Sequence, residues 1–546
     1  MMADVESHGG EESEFSRPTI IVDHELARMG EEALLALSMC PDIYQRNGRL
    51  VQVVSETGRK KGCLIREPGA PAIEAIPLSQ LHLILSAAAD WRKYGRGDHL
   101  VPTLPHDKVV KGVFEKGRYP ESLRRLESVI ETPMILADGR VIQTPGYDEE
   151  TGLLYIQPPD LVGHTVAEHP NREDVEEARD LLLDLVCDFC FRDETHRSAW
   201  IAGVLTYFAR FAIPAQAPFF LVDANTPGSG KGYLVKLVGI MTQNRWLDRF
   251  CQETDPKAEK EMIFSVAQSG LLQVLIDNID RPIGSGAFDG ALTDTTVSNR
   301  KFHTQDISRS PLFAIWWGTG NNAQIRQGAD TARRIQHIRL DSPEERPEQR
   351  TGFKHNPILD YARSMRPQLV MACLTLLRGY FAAGMPDQGI KNWGSFEEWS
   401  RVIRHCLVWC GLPDPYEAHE ELAKDADADM ELLEELVFGW KEIQEQHKVD
   451  ALTVAEVLSE MECDLEERKK NPRWNLRFPS MYSAILKLCN CKEGKLPSSH
   501  DLGKRLAKYK GRVRKGYKLV TLDRGKTGMR WGVISRDYKA PKVVES

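Results

Sequence analysis

One short glycine-rich segment constrains this chain more than any other feature. An apolar run at 219–222 precedes it, and a run with helical character at 233–240 follows it. A strand, a glycine-rich loop and a helix in this order point backbone N–H groups at phosphate oxygens, and a lysine at the start of the helix reaches the β and γ phosphates. The sequence therefore predicts a nucleoside triphosphate site with these contact residues: Thr226, Pro227, Gly228, Ser229, Gly230, Lys231 and Gly232.

Size and charge set the outer limits. A chain of 546 residues, 42% hydrophobic, has room for about three or four domains with buried cores. It contains neither an apolar run of about 20 residues nor a basic segment followed by an apolar one at the N-terminus. We therefore expect a cytoplasmic protein that does not associate with membranes.

The charge is unevenly distributed. The net charge is −8, but residues 501–546 carry fourteen Lys/Arg against four Asp/Glu, which leaves −18 for the remainder. A basic end on an acidic body is typical of a surface that binds nucleic acid.

The eleven cysteines fit a reducing compartment. Cys187-x-x-Cys190 and Cys489-x-Cys491 each lack the second pair at defined spacing that a zinc ribbon needs. We interpret these cysteines as small buried side chains rather than metal ligands.

The pattern of apolar and turn residues predicts an α/β fold. Its centre is a P-loop core with a parallel sheet, preceded by an α+β region and followed by helices and a C-terminal winged-helix-like unit. The predicted divisions are a disordered acidic tail (1–17), an N-terminal α+β domain (18–160), the ATPase core with leading helices (161–345), a helical lid (346–413), a linker (414–429) and a helical, basic winged-helix-like region (430–546).

Two further apolar runs end in polar residues. The run at 271–276 ends in Asp277, which at the carboxyl end of a parallel strand would hold Mg²⁺ through water. Asp280, shortly after it, is the candidate for orienting the attacking water. The run at 312–317 leads to Asn321, whose amide could polarise that water or sense hydrolysis. Each pattern alone is also typical of an ordinary turn.

A fourth segment supplies cations. Arg333 and Arg334 follow Asp330, and arginine stabilises charge on a transferring phosphoryl group, often from a neighbouring subunit. Arginine pairs are also common on protein surfaces, so these two gain their meaning from following the other three segments in order.

Together these segments resemble the superfamily 3 helicases and their AAA+ relatives, especially the helicase/primase-type replication proteins of phages, plasmids and integrated elements. The resemblance extends over residues 193–415 and is most specific over 319–347. It implies a hexameric ring with ATP and Mg²⁺ between subunits, and translocation along single-stranded DNA.

Two positions depart from this family. Asn225 stands where the loop usually has its first glycine, which is a mild change because Asn tolerates left-handed backbone. Gly232 stands where a Ser or Thr hydroxyl usually binds Mg²⁺. Thr226, Ser229 or water could replace that hydroxyl, so nucleotide binding is predicted more strongly than hydrolysis.

Basic residues occur at two places that suit DNA contact. The resemblance implies a β-hairpin before the third apolar run that carries cations into the ring channel, here Arg300, Lys301 and His303, with Arg309 on the returning side. The alternative is an ordinary solvated loop. Near the C-terminus, two helices followed by two strands suggest a winged helix that would grip duplex phosphates through Lys504, Arg505, Lys508, Arg524 and Lys526.

The preferred interpretation is a DNA-dependent ATPase, a ring-forming replicative helicase of a mobile element. One alternative is an ATP-gated initiator that binds DNA but hydrolyses weakly, which Gly232 and Asn278 favour. Another is an AAA+ remodeller of proteins, for instance in phage defence, which would show no stimulation by DNA.

Overall fold

The computed structural model describes residues 17–55, 65–253, 255–300, 307–326, 330–344, 346–471, 473–510, 513–525 and 528–535, with the backbone alone at 300, 307, 421, 423–431, 508, 513–514, 523–525 and 528. The chain divides into two compact units. The first comprises Met1–Arg281, Ala287–Ala323 and Gln336–Tyr416, and the second comprises Pro282–Gly286, Gln324–Ile335 and Glu417–Ser546. Among the described residues, no helix combines the length and apolarity needed to cross a bilayer.

The N-terminal part of the first unit is an α+β assembly with three small sheets, ordered β1-β5-β6, β2-β3-β4 and β10-β11-β7. Met29, Ala33 and Leu37 recur every four residues along the first helix, so they share the buried face that packs on this core. The elements are β1 (Thr19–Ile21), α1 (Leu26–Ser38), β2 (Tyr44–Arg46), β3 (Arg49–Ser55), β4 (Pro71–Ala75), α2 (Leu78–Ala88), β5 (Asp90–Tyr94), β6 (Leu100–Pro102), α3 (Asp107–Glu115), β7 (Ser128–Ile130), β8 (Met134–Ile135), β9 (Val141–Ile142), β10 (Gly146–Asp148) and β11 (Leu153–Tyr155).

One buried arginine fastens this part to the rest of the first unit. The Arg46 guanidinium donates hydrogen bonds to the carbonyl oxygens of Leu126 at 2.8 Å and Ala267 at 3.0 Å. The Ser128 hydroxyl donates to the carbonyl oxygen of Gly270 at 2.8 Å. Burial lowers the pKa of Arg46, and the carbonyl oxygens compensate for the water that this cation has lost.

The centre of the first unit is a five-stranded sheet ordered β13-β14-β17-β12-β18. Strands β12, β13, β14 and β17 pair in parallel. Helices flank such a sheet, so β12 is buried at every residue, which explains its continuous apolar run. The elements are α4 (Arg172–Leu185), α5 (Glu194–Phe208), β12 (Phe219–Ala224), α6 (Lys231–Gln243), β13 (Arg249–Cys251), α7 (Pro256–Ser269), β14 (Gln273–Ile279), α8 (Gly286–Ala291), β15 (Thr296–Arg300), β16 (Ile307–Pro311), β17 (Ile315–Asn321) and β18 (Ile335–Leu340).

Helices complete the first unit: α9 (Ile358–Ser364), α10 (Arg366–Ala382), α11 (Glu397–Trp399), a π-helical turn (Ser400–Arg404) and α12 (His405–Trp409). They are held by buried polar contacts as well as apolar packing. The Trp399 indole donates to the Thr206 hydroxyl at 2.9 Å, and the fully buried Arg404 guanidinium pairs with Asp414 at 2.6 Å.

The C-terminal part of the second unit packs around its own apolar core. Its strands form a sheet ordered β19-β22-β21-β20, and the Trp440 indole donates to the carbonyl oxygen of Trp531 at 3.2 Å. The elements are α13 (Tyr416–His447), β19 (Leu452–Thr453), α14 (Val454–Lys470), α15 (Pro479–Cys489), α16 (Ser499–Leu506), β20 (Val513–Arg514), β21 (Tyr517–Gly525) and β22 (Gly528–Ser535).

The stretch interpreted as a linker, 414–429, lies almost wholly inside α13, which begins at Tyr416. Alanine and glutamate are strong helix formers, and this outweighs the cost of the interspersed aspartates. The conformation is therefore helical, and the division into six segments stays a prediction. So does the winged helix, although α14, α15 and α16 precede the paired strands β21 and β22.

Candidate nucleotide site

The glycine-rich loop connects β12 directly to α6 and requires its glycines. Gly228 and Gly230 have φ of +82° and +98°, a region that side chains with a Cβ rarely adopt. A Cβ at Gly230 would lie 3.0 Å from Cε1 of Phe189. Gly230 also precedes α6 without a capping side chain, and its carbonyl oxygen accepts the N–H groups of Tyr233 and Leu234, so the N–H groups of Lys231 and Gly232 are those available to an anion.

The lysine of the loop meets the amide at the end of the neighbouring strand. Lys231 Nζ donates to Oδ1 of Asn321 at 2.5 Å. The parallel register places Ala224 opposite Asn321, which brings the ends of β12 and β17 together. Burial lowers the pKa of Lys231 and Arg339 lowers it further, while Asp223 opposes both. The ammonium is therefore a partly desolvated cation that an anionic phosphate would stabilise.

Asp277 is held by a hydroxyl that the sequence analysis did not single out. The Thr319 hydroxyl donates to Oδ1 of Asp277 at 2.8 Å and accepts the backbone N–H of Asn278 at 2.9 Å. The pairing of β14 with β17 shifts register between Ile276 and Ile279, and Asn278 has a φ of +53°. This irregularity turns the backbone at the carboxyl end of β14, as bulges near functional sites often do.

A buried ion pair between β12 and β18 stabilises the start of the glycine-rich loop. Asp223, 3% exposed, pairs with the Arg339 guanidinium and accepts the backbone N–H of Ala323 at 3.1 Å. Burial raises the pKa of Asp223, but the nearby His337 ring, the hydrogen bond from the Ala323 N–H and the charge of Arg339 outweigh it, so the pKa lies below its ordinary value. A second N–H group of Arg339 donates to Oδ1 of Asn322 at 2.7 Å. The sequence held one signal for this ion pair: Asp223 is the acid within an apolar strand, and buried acids are almost always paired.

Asn225 has a structural task at the start of the loop. Its Oδ1 accepts the backbone N–H of Ser342 at 3.1 Å, and its Nδ2 donates to the carbonyl oxygen of Ser342 at 3.0 Å. The departure from glycine therefore fastens the loop to the segment after β18.

Two side chains from other segments border the loop. The Phe189 ring lies beside Gly230. Glu348 lies beside Gly228, and its Oε2 is 2.9 Å from the position that a Cβ on Gly228 would take. Glu348 belongs to a 3-10 turn, Pro347–Gln349. Neither residue is part of a local motif, so no sequence pattern indicated either of them.

The other predicted catalytic and loop residues differ in their surroundings. The Ser229 hydroxyl donates to the carbonyl oxygen of Thr226 at 2.6 Å and so braces the loop itself. Gly232 is exposed in the first turn of α6. The side chain of Asp280 is 70% exposed, with Oδ1 3.8 Å from Nε of Arg281, and its role with water stays a prediction.

The arginine pair belongs to the second unit, in a 3-10 turn spanning Asp330–Arg334. Asp330 pairs with both Arg333 and Arg334. The side chain of Arg334 is 9% exposed, whereas that of Arg333 is 59% exposed. Arg333 is thus the one accessible to a second molecule.

The structure describes the side chains of some candidate DNA-contacting residues, only the backbone of others, and does not describe the rest. Strands β15 and β16 pair antiparallel, with Arg300 opposite Ile307 and Ser298 opposite Arg309. Lys504 and Arg505 are exposed on α16, which the Ser498 side chain caps. For the others, only the backbone is described at Arg300, Lys508 and Arg524, and outside the described residues lie Lys301, His303 and Lys526.

The expectation for the first cysteine pair is wrong. Cys187 is exposed and Cys190 is only partly buried, because both lie in the turn after α4 rather than on its apolar face. The helical pattern was continued past Leu185, where α4 ends, and this led to the prediction that both cysteines are buried.

Comparison with known proteins gives structural similarities only. No family model and no curated protein matches the chain. The NrS-1 C-terminal region matches at 13% identity with a TM-score of 0.37, covering 83% of this chain and 98% of that one. An active helicase, SCCmec type IV Cch, matches at 9% identity with a TM-score of 0.31, covering 91% and 98%. A ligand-bound JCV helicase matches at 12% identity with a TM-score of 0.21, covering 47% and 68%. With every TM-score below 0.5, the function proposed next rests on the geometry of the site.

Proposed function

We propose that this chain is an ATP-dependent DNA translocase of helicase type that acts in DNA replication of a mobile genetic element as a ring oligomer, in which a hexamer is expected. The observation that carries the proposal is the contact between Lys231 and Asn321 at 2.5 Å. It lies where β12 and β17 end, and the neighbouring strand β14 carries Asp277 near its carboxyl end. Ligands of open α/β sheets bind at such carboxyl ends.

The residues fit a triphosphate with Mg²⁺. Two left-handed glycines keep the cradle open where a Cβ would meet Phe189 or Glu348, and α6 begins with the N–H groups of Lys231 and Gly232. Lys231 is partly desolvated and donates to the neutral amide of Asn321, so an anionic phosphate would be a stronger partner for its ammonium. Gly228 to Lys231 would hold the phosphates and Asp277 the metal, and bound Mg²⁺ would neutralise charge on the β and γ oxygens.

The residues of the chain would then act as follows. Lys231 neutralises phosphate charge, and release of Asn321 from it frees an amide to orient water. Thr319 keeps the carboxylate of Asp277 aimed at the metal. Arg333 is the candidate for reaching the phosphates of an adjacent subunit.

Single-stranded DNA is the expected partner in the ring channel, through Arg300, Lys301 and His303, with Arg309 on the returning strand. Duplex DNA is the expected partner of the C-terminal part. The net charge of +10 over 501–546 supports the second contact, with Lys504 and Arg505 exposed on α16.

A lysine pair tests the nucleotide site. Lys231→Ala should abolish ATP turnover and weaken ATP binding at least tenfold, about 1.4 kcal/mol, because the only ammonium in the loop is lost. Lys257→Ala is the matched control, since the side chain of Lys257 is 82% exposed and, among the described residues, pairs with Glu261 across one helical turn. Turnover that survives Lys231→Ala with circular dichroism unchanged would refute the assignment.

The second candidate is an ATP-gated initiator that binds DNA with little hydrolysis. Asn278 favours it, because an amide cannot act as a base and its backbone N–H is committed to Thr319. Phosphate release with and without single-stranded DNA separates the two. Stimulation by DNA supports the translocase, and DNA binding with turnover near background supports the initiator. Turnover that DNA leaves unchanged would instead favour the AAA+ remodeller of proteins.

A further inference from the structure

Three side chains of metal-binding type meet beyond the C-terminal end of α4. Asp184 lies in the last turn of that helix, Cys187 lies in the turn that follows, and His355 comes from the segment between the Pro347–Gln349 turn and α9. One ligand atom of each lies within 4.8 Å of the other two. Nε2 of His355 is 2.8 Å from Oδ2 of Asp184.

Groups outside the cluster hold it in place. The Asp188 carboxylate accepts the backbone N–H groups of Lys354 at 2.7 Å and His355 at 3.4 Å. The Arg350 guanidinium donates to the carbonyl oxygen of Asp188 at 2.7 Å. The His355 ring stacks on Tyr361 with centroids 3.8 Å apart, which fixes its plane. Such supporting contacts orient the ligands of metal sites.

We propose that Asp184, Cys187 and His355 bind a zinc ion, with water as the fourth ligand. Zinc bonds of about 2.0–2.3 Å place tetrahedral ligand atoms about 3.3–3.8 Å apart, which small rotations of these side chains provide. A sulfur and an imidazole ligand favour Zn²⁺ over Mg²⁺ or Ca²⁺, which prefer oxygen. Cys190 is not a ligand, because its sulfur lies 3.2 Å from a guanidinium nitrogen of Arg350.

When no metal is bound, the ammonium of Lys354 neutralises the carboxylate of Asp184. Lys354 Nζ pairs with Oδ1 of Asp184, and the side chain of Lys354 is 60% exposed. An exposed ion pair contributes little, so the ammonium can move into water at small cost when a cation arrives. Binding would displace the protons on the Cys187 thiol and between His355 and Asp184.

The zinc would join the two segments that border the glycine-rich loop. The turn after Cys187 carries Phe189, which abuts Gly230, and the segment before His355 carries Glu348, which abuts Gly228. A metal shared by both segments would fix these two walls relative to each other. This positioning role rests on the proposed nucleotide site, whereas the metal site does not.

Metal binding is tested on the full chain without nucleotide. The protein is stripped with a chelator, dialysed against Zn²⁺ and measured by mass spectrometry, and about one zinc per chain is expected. Asp184→Asn, Cys187→Ala and His355→Ala should each weaken zinc binding about tenfold or more. Cys463→Ala, at another exposed cysteine, should bind as the original chain does. Lys354→Met should bind zinc more tightly, which loss of a merely structural ion pair would not produce.

Cobalt substitution tests the metal site in the original chain, so its result does not depend on how well the variants fold. The original chain loaded with Co²⁺ should show a thiolate-to-cobalt charge-transfer absorption together with tetrahedral d–d bands. The absence of both bands, or zinc far below one per chain in the original protein, would overturn the proposal. So would full zinc content in Cys187→Ala. Failure of the ATPase assay leaves these readings unaffected, so the two proposals fail separately.

Discussion

Thr319→Val is the perturbation that most directly examines how Asp277 is held. Valine keeps the shape of threonine but removes the hydroxyl that donates to Asp277 and accepts the N–H of Asn278. Thr319 is 5% exposed, so water cannot readily replace the hydroxyl. Asp277 keeps only a distant counter-charge, with Oδ2 3.9 Å from Arg249.

The magnitude follows from the two lost hydrogen bonds. The bond to Asp277 involves a charged acceptor, but 44% of that side chain is exposed, so solvent screening leaves it about 1 kcal/mol. The N–H of Asn278 loses its acceptor, which costs about 1 kcal/mol or more. The local penalty is about 2 kcal/mol, which corresponds to a roughly thirtyfold increase in local opening.

Hydrogen exchange of peptides covering Asn278 measures this opening, and a Mg²⁺ titration of ATP binding measures the consequence for Asp277. Thr319→Val should speed exchange at Asn278 about thirtyfold and raise the Mg²⁺ concentration needed for binding about tenfold. Thr319→Ser restores the hydroxyl and should behave as the original chain does. If valine and serine give the same exchange rate and the same Mg²⁺ dependence, the hydroxyl does not position Asp277.

Two further substitutions probe the loop and its support. Gly230→Ala forces a Cβ at a φ of +98° towards Phe189 and should weaken ATP binding about tenfold in a binding titration. Gly232→Ala, with open space around it, should bind normally and melt no lower; equal effects of the two would refute the steric argument. Asp223→Asn tests the lowered pKa of Asp223. The ionised carboxylate stabilises the fold at pH values above its ordinary pKa, and this stabilisation is lost as the pH falls below about 4. Urea midpoints should therefore differ widely between Asp223→Asn and the original chain at pH 7 and converge on acidification, and a constant difference would contradict the ion pair.

The local parts of the site could be predicted from the sequence. The glycine-rich loop places Lys231 by its own pattern, and the apolar strands before Asp277 and Asn321 follow from continuous runs of buried residues. Parallel strands then bring their carboxyl ends to one edge of the sheet, so short-range patterns fixed the positions of these three side chains.

Contacts between distant segments could not be predicted in this way. Asp223 and Arg339 are 116 residues apart, and Asp184 and His355 are 171 apart, so no local spacing links them. Glu348 reaches the loop from a turn with no motif of its own. Cys187 was misplaced because helical periodicity was continued past the end of α4.

Gly232 and Asn278, the two residues that favour weak hydrolysis, can be considered together with the Thr319 hydroxyl. With Gly232 the helix lacks a hydroxyl beside the lysine, and Thr319 on β17 supplies one to Asp277 instead. The same hydroxyl accepts the N–H of Asn278, where the backbone is left-handed with a φ of +53°. Asn tolerates that conformation better than Glu does. An amide at 278 cannot act as a base, so Asp280 and Asn321, the latter bonded to Lys231, stay the two candidates for orienting the water.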